Sequence, residues 1–197
     1  MNTNFTKKYL SEISSKLNAV PRQDFANFIK LLKDVKKKNS KIIFVGNGGS
    51  AAMASHTSVD FTKACKIRAV NFNEADLITC FSNDYGYENW VVEALKAYSK
   101  KADTVVIISS SGQSKNLLNA AKYCSKEKIK LVTFTGFKKN NPIKKLGNLN
   151  FWVNSSKYNM VEMTHHIWIL MAVDYLTISK WLEIYLLQEI LDTLEAF

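Results

Sequence analysis

Apolar residues recur along this chain in two rhythms that alternate. Between residues 4 and 20, Phe5, Tyr9, Ile13, Leu17 and Val20 recur three or four apart, as on one face of a helix. Pro21 suits the first turn of a second helix, whose face is Phe25, Phe28, Ile29, Leu32 and Val35. Then the rhythm changes. Ile42-Ile43-Phe44-Val45 is a short continuous apolar run, expected of a parallel strand covered on both faces. Ala69–Phe72, Thr104–Ile108, Leu131–Phe134 and Asn150–Val153 read as four further strands. Between them, helices are expected from about Ser50, over Ala75–Phe81, over Trp90–Lys101 and over Leu117–Cys124. Ser82–Glu88 reads as a polar loop. From about Asn159 the pattern is helical to the end, with a break near Thr177.

Strands that alternate with helices imply an α/β, doubly wound, mainly parallel five-stranded sheet flanked by helices. The expected organisation is one domain, with a helical cap over residues 1–38 and an α/β core with a long C-terminal helix over residues 41–197. Ligands of such sheets bind beyond the carboxyl ends of the strands. Two unusual turns stand there. Gly46-Asn47-Gly48-Gly49 follows the first strand and opens a helix, so free N–H groups and a positive dipole end face the turn. Ser109-Ser110-Ser111-Gly112-Gln113-Ser114 follows the third strand. One serine suffices to cap a helix; four hydroxyls beside a helix N-terminus fit an anion such as phosphate. Neither turn has the spacing of a P-loop or of a dinucleotide fingerprint, so no nucleotide cofactor is expected.

Composition narrows the classes further. The chain has 197 residues, 47% of them apolar, enough for a full core. No apolar run reaches the length of a membrane span, and no signal-peptide core opens the chain. Cys65, Cys80 and Cys124 have no metal-ligand spacing, which fits packing thiols in a reducing cytoplasm. The net charge of +10 comes with lysine runs at 36–38, 100–101, 138–139 and 144–145. No aromatic-interleaved basic stripe accompanies them, so they read as solvated lysines and nucleic acid is not an expected partner. Trp90, Trp152, Trp168 and Trp181 show no binding-box spacing and read as packing residues.

Val45–Ser50, Ser82-Asn83-Asp84-Tyr85-Gly86 and Ser109–Ser114 together resemble the three signatures of the sugar isomerase (SIS) domain family, and within it the phosphoheptose isomerase branch. The resemblance covers nearly the whole chain. It implies interconversion of sedoheptulose 7-phosphate and D-glycero-D-manno-heptose 7-phosphate, a step in heptose synthesis for capsule or lipopolysaccharide. It also implies a cytoplasmic homotetramer with active sites between subunits. Ser109, Ser110, Ser111 and Ser114 would hold the phosphate, and Asn47, Gly48, Ser50 and Asp84 would complete the substrate set.

The chemistry passes through an enediol and needs acid–base groups. The resemblance places them at His56 and, four residues on, Asp60, where the family has glutamate. On the final helix the family's glutamine position is Glu162, and its catalytic histidine position is Leu170, which cannot move a proton. His165 and His166 lie on the same helix, three and four residues after Glu162, and either could share its face. The catalytic candidates are therefore Asp60, Glu162, His56 and His165. Some family members bind zinc, and His56, Asp60, Glu162 and His165 (or His166 in its place) have suitable ligand types. Asp60 and Glu162 both remain open as the base. The competing reading, carried by Leu170, is a non-catalytic SIS module that binds a phosphosugar or a protein.

Overall fold

The computed structural model describes the backbone of residues 3–195 and the side chains of residues 4–178. Helix α1 (Thr3–Asn18) and helix α2 (Arg22–Lys37) precede strand β1 (Lys41–Gly46). Helix α3 (Gly49–Lys63), strand β2 (Arg68–Asn71), helix α4 (Ala75–Tyr85), helix α5 (Trp90–Tyr98) and strand β3 (Thr104–Ser109) follow. Helix α6 (Lys115–Glu127), strand β4 (Lys130–Thr135), a short 3-10 turn (Lys144–Leu146), strand β5 (Leu149–Trp152) and helix α7 (Tyr158–Glu195) complete the order.

The five strands form one sheet in the order β2-β1-β3-β4-β5, parallel at every pairing. Side chains alternate across its two faces, and each face is roofed by helices. Ile42 and Phe44 join Val106, Phe134 and Phe151 under α2, α3 and α7. Ile43 and Val45 join Val105 and Ile107 under α5 and α6. Of the two leading helices, α2 thus covers the sheet. Helix α1 packs on α7, where the Trp168 indole N–H donates to the Leu17 carbonyl at 3.0 Å and Lys157 pairs with Glu12 at 2.7 Å. Trp90 and Trp168 are fully buried packing residues and Trp152 is half-buried; Trp181 lies outside the described side chains.

Two expectations about elements change. The polar stretch after Phe81 is not a loop: α4 continues through Ser82, Asn83, Asp84 and Tyr85, and ends at Gly86, whose φ is +81°. Helix α7 runs unbroken through Thr177, whose hydroxyl donates back to the Val173 carbonyl at 3.1 Å and so stays within the helix.

The carboxyl edge of the sheet carries both special turns. At the amino edge, Lys37-Lys38 lead into β1 and Lys100-Lys101 into β3, whereas Lys144 stands toward the carboxyl end, its ammonium 5.1 Å from the ring of Trp152, the last residue of β5.

Phe28 is fully buried and meets the rings of Phe134 and Phe151 edge-on at 6.0 and 5.7 Å. Phe28→Ala should lower the unfolding free energy by about 3–5 kcal/mol, measured by chemical denaturation.

Candidate active site

Strand order reverses between β1 and β3, and the turns that leave these two strands face each other across a cavity of about 280 Å³. Asn47, Gly48, Gly49 and Ser50 line one side. Ser109, Ser110, Ser111 and Ser114 line the other. Two side chains tie the turns together. Asn47 Nδ2 donates to Asn116 Oδ1 at 3.0 Å, and Asn116 Nδ2 donates back to Asn47 Oδ1 at 2.9 Å.

The serine loop is arranged to donate. Ser109 and Ser111 accept from the backbone N–H of Gly112 (3.2 Å) and Gln113 (3.3 Å), which leaves each hydroxyl proton free to point outward. Ser114 holds the N-cap position of α6, yet its side chain makes no capping bond. The Ser110 hydroxyl is buried with no partner in the chain, a costly condition that an anion would relieve. Gly112 has φ +63°, and a Cβ there would overlap the Asn141 side chain, so only glycine lets the loop fold this tightly.

Ile108 and Leu117 also line the cavity, and α7 adds Tyr158 and Glu162. The Glu162 carboxylate lies against Gly49, where a Cβ would stand 2.5 Å from Oε2. Burial in this wall pushes the Glu162 carboxyl above the usual carboxylate range.

One turn further along α7, His166 meets His56 of α3 edge-on, with ring centroids 4.9 Å apart. His56 Nε2 is 3.1 Å from Asp60 Oδ2. Helix rise puts this cluster about 6–10 Å along the paired helices from the Glu162–Gly49 contact. His166 Nε2 is buried without a partner. Burial, and then the neighbouring His56, push the His166 imidazole below its usual pKa, and Asp60 opposes them.

The SIS domain model matches residues 7–136 of the chain. The chain belongs to the SIS-domain family. A phosphoheptose isomerase from Thermodesulfovibrio yellowstonii is 31% identical over 159 residues, covering 74% of this chain and 79% of the relative. Phosphoheptose isomerase 2 from Campylobacter jejuni is 32% identical over 123 residues, covering 56% of this chain and 61% of the relative. The structure of phosphoheptose isomerase from Neisseria gonorrhoeae superposes with a TM-score of 0.79 at 22% identity, covering 88% of this chain and 96% of that chain. That likeness establishes the SIS fold, with its parallel sheet and long final helix.

Within this SIS domain, the cavity gathers Asn47, Gly48, Ser50, the four serines and Glu162. His56 and Asp60 stand together beyond it. Asp84 lies on exposed α4, where it accepts from Asn83 at 2.9 Å, and it does not line the cavity. His165 is placed apart from every other candidate. It is fully buried, and its Nε2 lies 3.0 Å from the Thr135 carbonyl, which can only accept, so the neutral ring carries its proton there. It is His166 that faces His56. Among the described residues, no three His, Cys, Asp or Glu side chains gather closely enough to share a metal ion. The set implied for zinc is split between the cavity wall, the His56–Asp60 pair and the core.

Asn116 and Gly49 were not among the sequence candidates. Asn116 is 69 residues from its partner, and no local pattern connects them.

Two outcomes follow from these environments. Ser110→Ala should weaken sugar-phosphate binding by about 1.5–3 kcal/mol with no loss of melting temperature, measured by calorimetry. Burial holds the His165 imidazole down at about 4, against 6.5 for the free ring. Its contribution to stability is therefore complete above pH 6.5 and is lost as pH falls toward 4, because the unfolded chain takes up the proton first. The full loss is on the order of 3 kcal/mol. Denaturation midpoints measured across that range should drop for the native chain and drop less for His165→Leu.

Proposed function

We propose that the chain is an aldose–ketose isomerase acting on a sugar phosphate, with sedoheptulose 7-phosphate and D-glycero-D-manno-heptose 7-phosphate as its pair. The observation that carries this reading is one cavity with four serine hydroxyls at one side and a carboxylate of raised pKa at the other. A phosphate anchored by Ser109, Ser110, Ser111, Ser114 and the N-terminus of α6 would be held by preorganised donors. The sugar chain would then run along α7 toward Glu162 and His56.

Starting from the aldose, Glu162 takes the proton from the carbon next to the aldehyde. The aldehyde oxygen gains a proton, giving the enediol. The second hydroxyl then loses its proton while Glu162 returns its own to the first carbon, leaving the ketose. Glu162 is the better base than Asp60 because it lines the cavity, and burial tunes it toward the working pH. His56, oriented by Asp60 at 3.1 Å, suits the proton shifts on oxygen.

A cytoplasmic homotetramer with intersubunit sites belongs to the same proposal. Val59, Met163 and Ile167 leave exposed apolar surface beside His56, which suits a neighbouring subunit. Such a neighbour could bring Asp84 to the site.

Glu162→Gln keeps the shape and removes the base. It should lower kcat by a factor of at least about 100 while sugar-phosphate binding persists. The acid limb of kcat/KM in the native enzyme should lie above pH ~4.3, the ordinary glutamate value, since the protonated carboxyl cannot accept a proton. Full turnover in Glu162→Gln would contradict the assignment. Binding without turnover in the native chain would favour the phosphosugar-binding module that Leu170 suggests.

A further inference from the structure

The sheet edge opposite the sugar-phosphate cavity is basic across β1, β2, β3 and β4. The lysine pairs that lead into β1 and β3 are joined there by Lys66 and Arg68 at β2 and by Lys128 and Lys130 at β4, all four exposed. Along the chain these lysines look dispersed. Folding collects them because every turn entering a parallel strand lies at the same edge. The opposing charge is smaller: Asp103 is buried and already held by Lys41 at 2.6 Å, which leaves Asp34, Glu127 and, near Cys65, Asp174 exposed.

Helix C-termini attract cations, which accounts for the run at 36–38. The same attraction reaches Lys128, which is the C-cap of α6, but at Lys66 and Lys128 the backbone itself favours another residue. Their φ values are +54° and +57°, where glycine fits without strain and lysine does not. The chain carries charge at two positions where the backbone favours glycine.

A second feature adjoins this edge. A groove of about 460 Å³ beside β2 is lined by Lys41, Arg68, Val70, Phe72, Leu77 and Tyr98, with Glu74 at its side. The Tyr98 ring is half exposed and leans on Phe72 at 5.9 Å, two residues before Lys100-Lys101.

We propose that the basic amino edge of the sheet, with the Tyr98 groove beside it, binds single-stranded nucleic acid. Lysines track the phosphates, and a base enters the groove against Tyr98. A cationic path next to an aromatic slot is the combination that recognises single strands without sequence preference. A membrane surface suits it less, because none of these turns projects a large apolar side chain.

The test is fluorescence anisotropy of the full chain with a fluorescein-labelled oligothymidylate of about 20 nucleotides, across ~50–200 mM salt. Binding should weaken linearly on logarithmic axes. The double variant K66G/K128G should flatten that slope by about 1.4, since each phosphate contact on a single strand contributes ~0.7. It should melt no lower than the parent and retain the parent's activity toward sugar phosphate, because both positions lie at the far edge of the sheet. Tyr98→Ala should weaken binding about tenfold at every salt concentration without changing the slope. No binding at ~50 mM salt, or affinity untouched by both variants, would overturn the proposal. So would tighter binding to phosphatidylserine vesicles than to the oligonucleotide. The readout is independent of isomerase turnover, so failure of either proposal is seen separately.

Discussion

The pairing of β1 with β3 is the constraint on which the site depends. The two strands run parallel with Gly46 beside Ile108, so both chains leave the sheet at the same level. A glycine turn and a serine turn separated by about sixty residues of sequence thereby become the two walls of one cavity. β2 lies on one side of this pair and β4 on the other, which opens the sheet at the point where helices diverge to opposite faces. The reciprocal Asn47–Asn116 bonds fix the separation of the walls. Each amide satisfies the other, so neither is left as a buried polar group without a partner.

Helix α7 supplies the reactive side of the cavity. It lies beside α3 in the same direction, so Glu162 meets Gly49 and His166 meets His56 one level further on. The closeness of the first contact has a chemical consequence. With no side chain at Gly49, the carboxylate is drawn into the wall, where it loses solvent and becomes a stronger base. Packing and acid–base behaviour are in this sense one feature of the α3–α7 contact. The same contact leaves Val59 and Ile167 exposed on its outer side.

Much of this was legible in the sequence, for physical reasons that differ by element. The strands were plain because continuous apolar runs such as Thr104–Ile108 have no stable place except a sheet covered on both faces. The four serines were plain because a helix cap needs one hydroxyl. Ser82–Tyr85 misled because serine, asparagine and aspartate favour turns locally, yet here they complete the last turn of α4. His165 and His166 could not be separated by spacing from Glu162. Adjacent residues on a helix point about 100° apart, and only the packing of α7 decides which ring enters the core and which meets His56. The Asn47–Asn116 pair and the basic amino edge arise from topology alone, so no window of the sequence contains them.

The most direct test of the account is proton exchange by the purified native chain. Sedoheptulose 7-phosphate is incubated with it in D₂O, and deuterium at the carbons adjoining the carbonyl is followed by NMR. The account predicts deuterium incorporation together with appearance of the aldose, since a base reached by solvent protons works through an enediol. Tight binding of the sugar phosphate with no deuterium incorporated would contradict it.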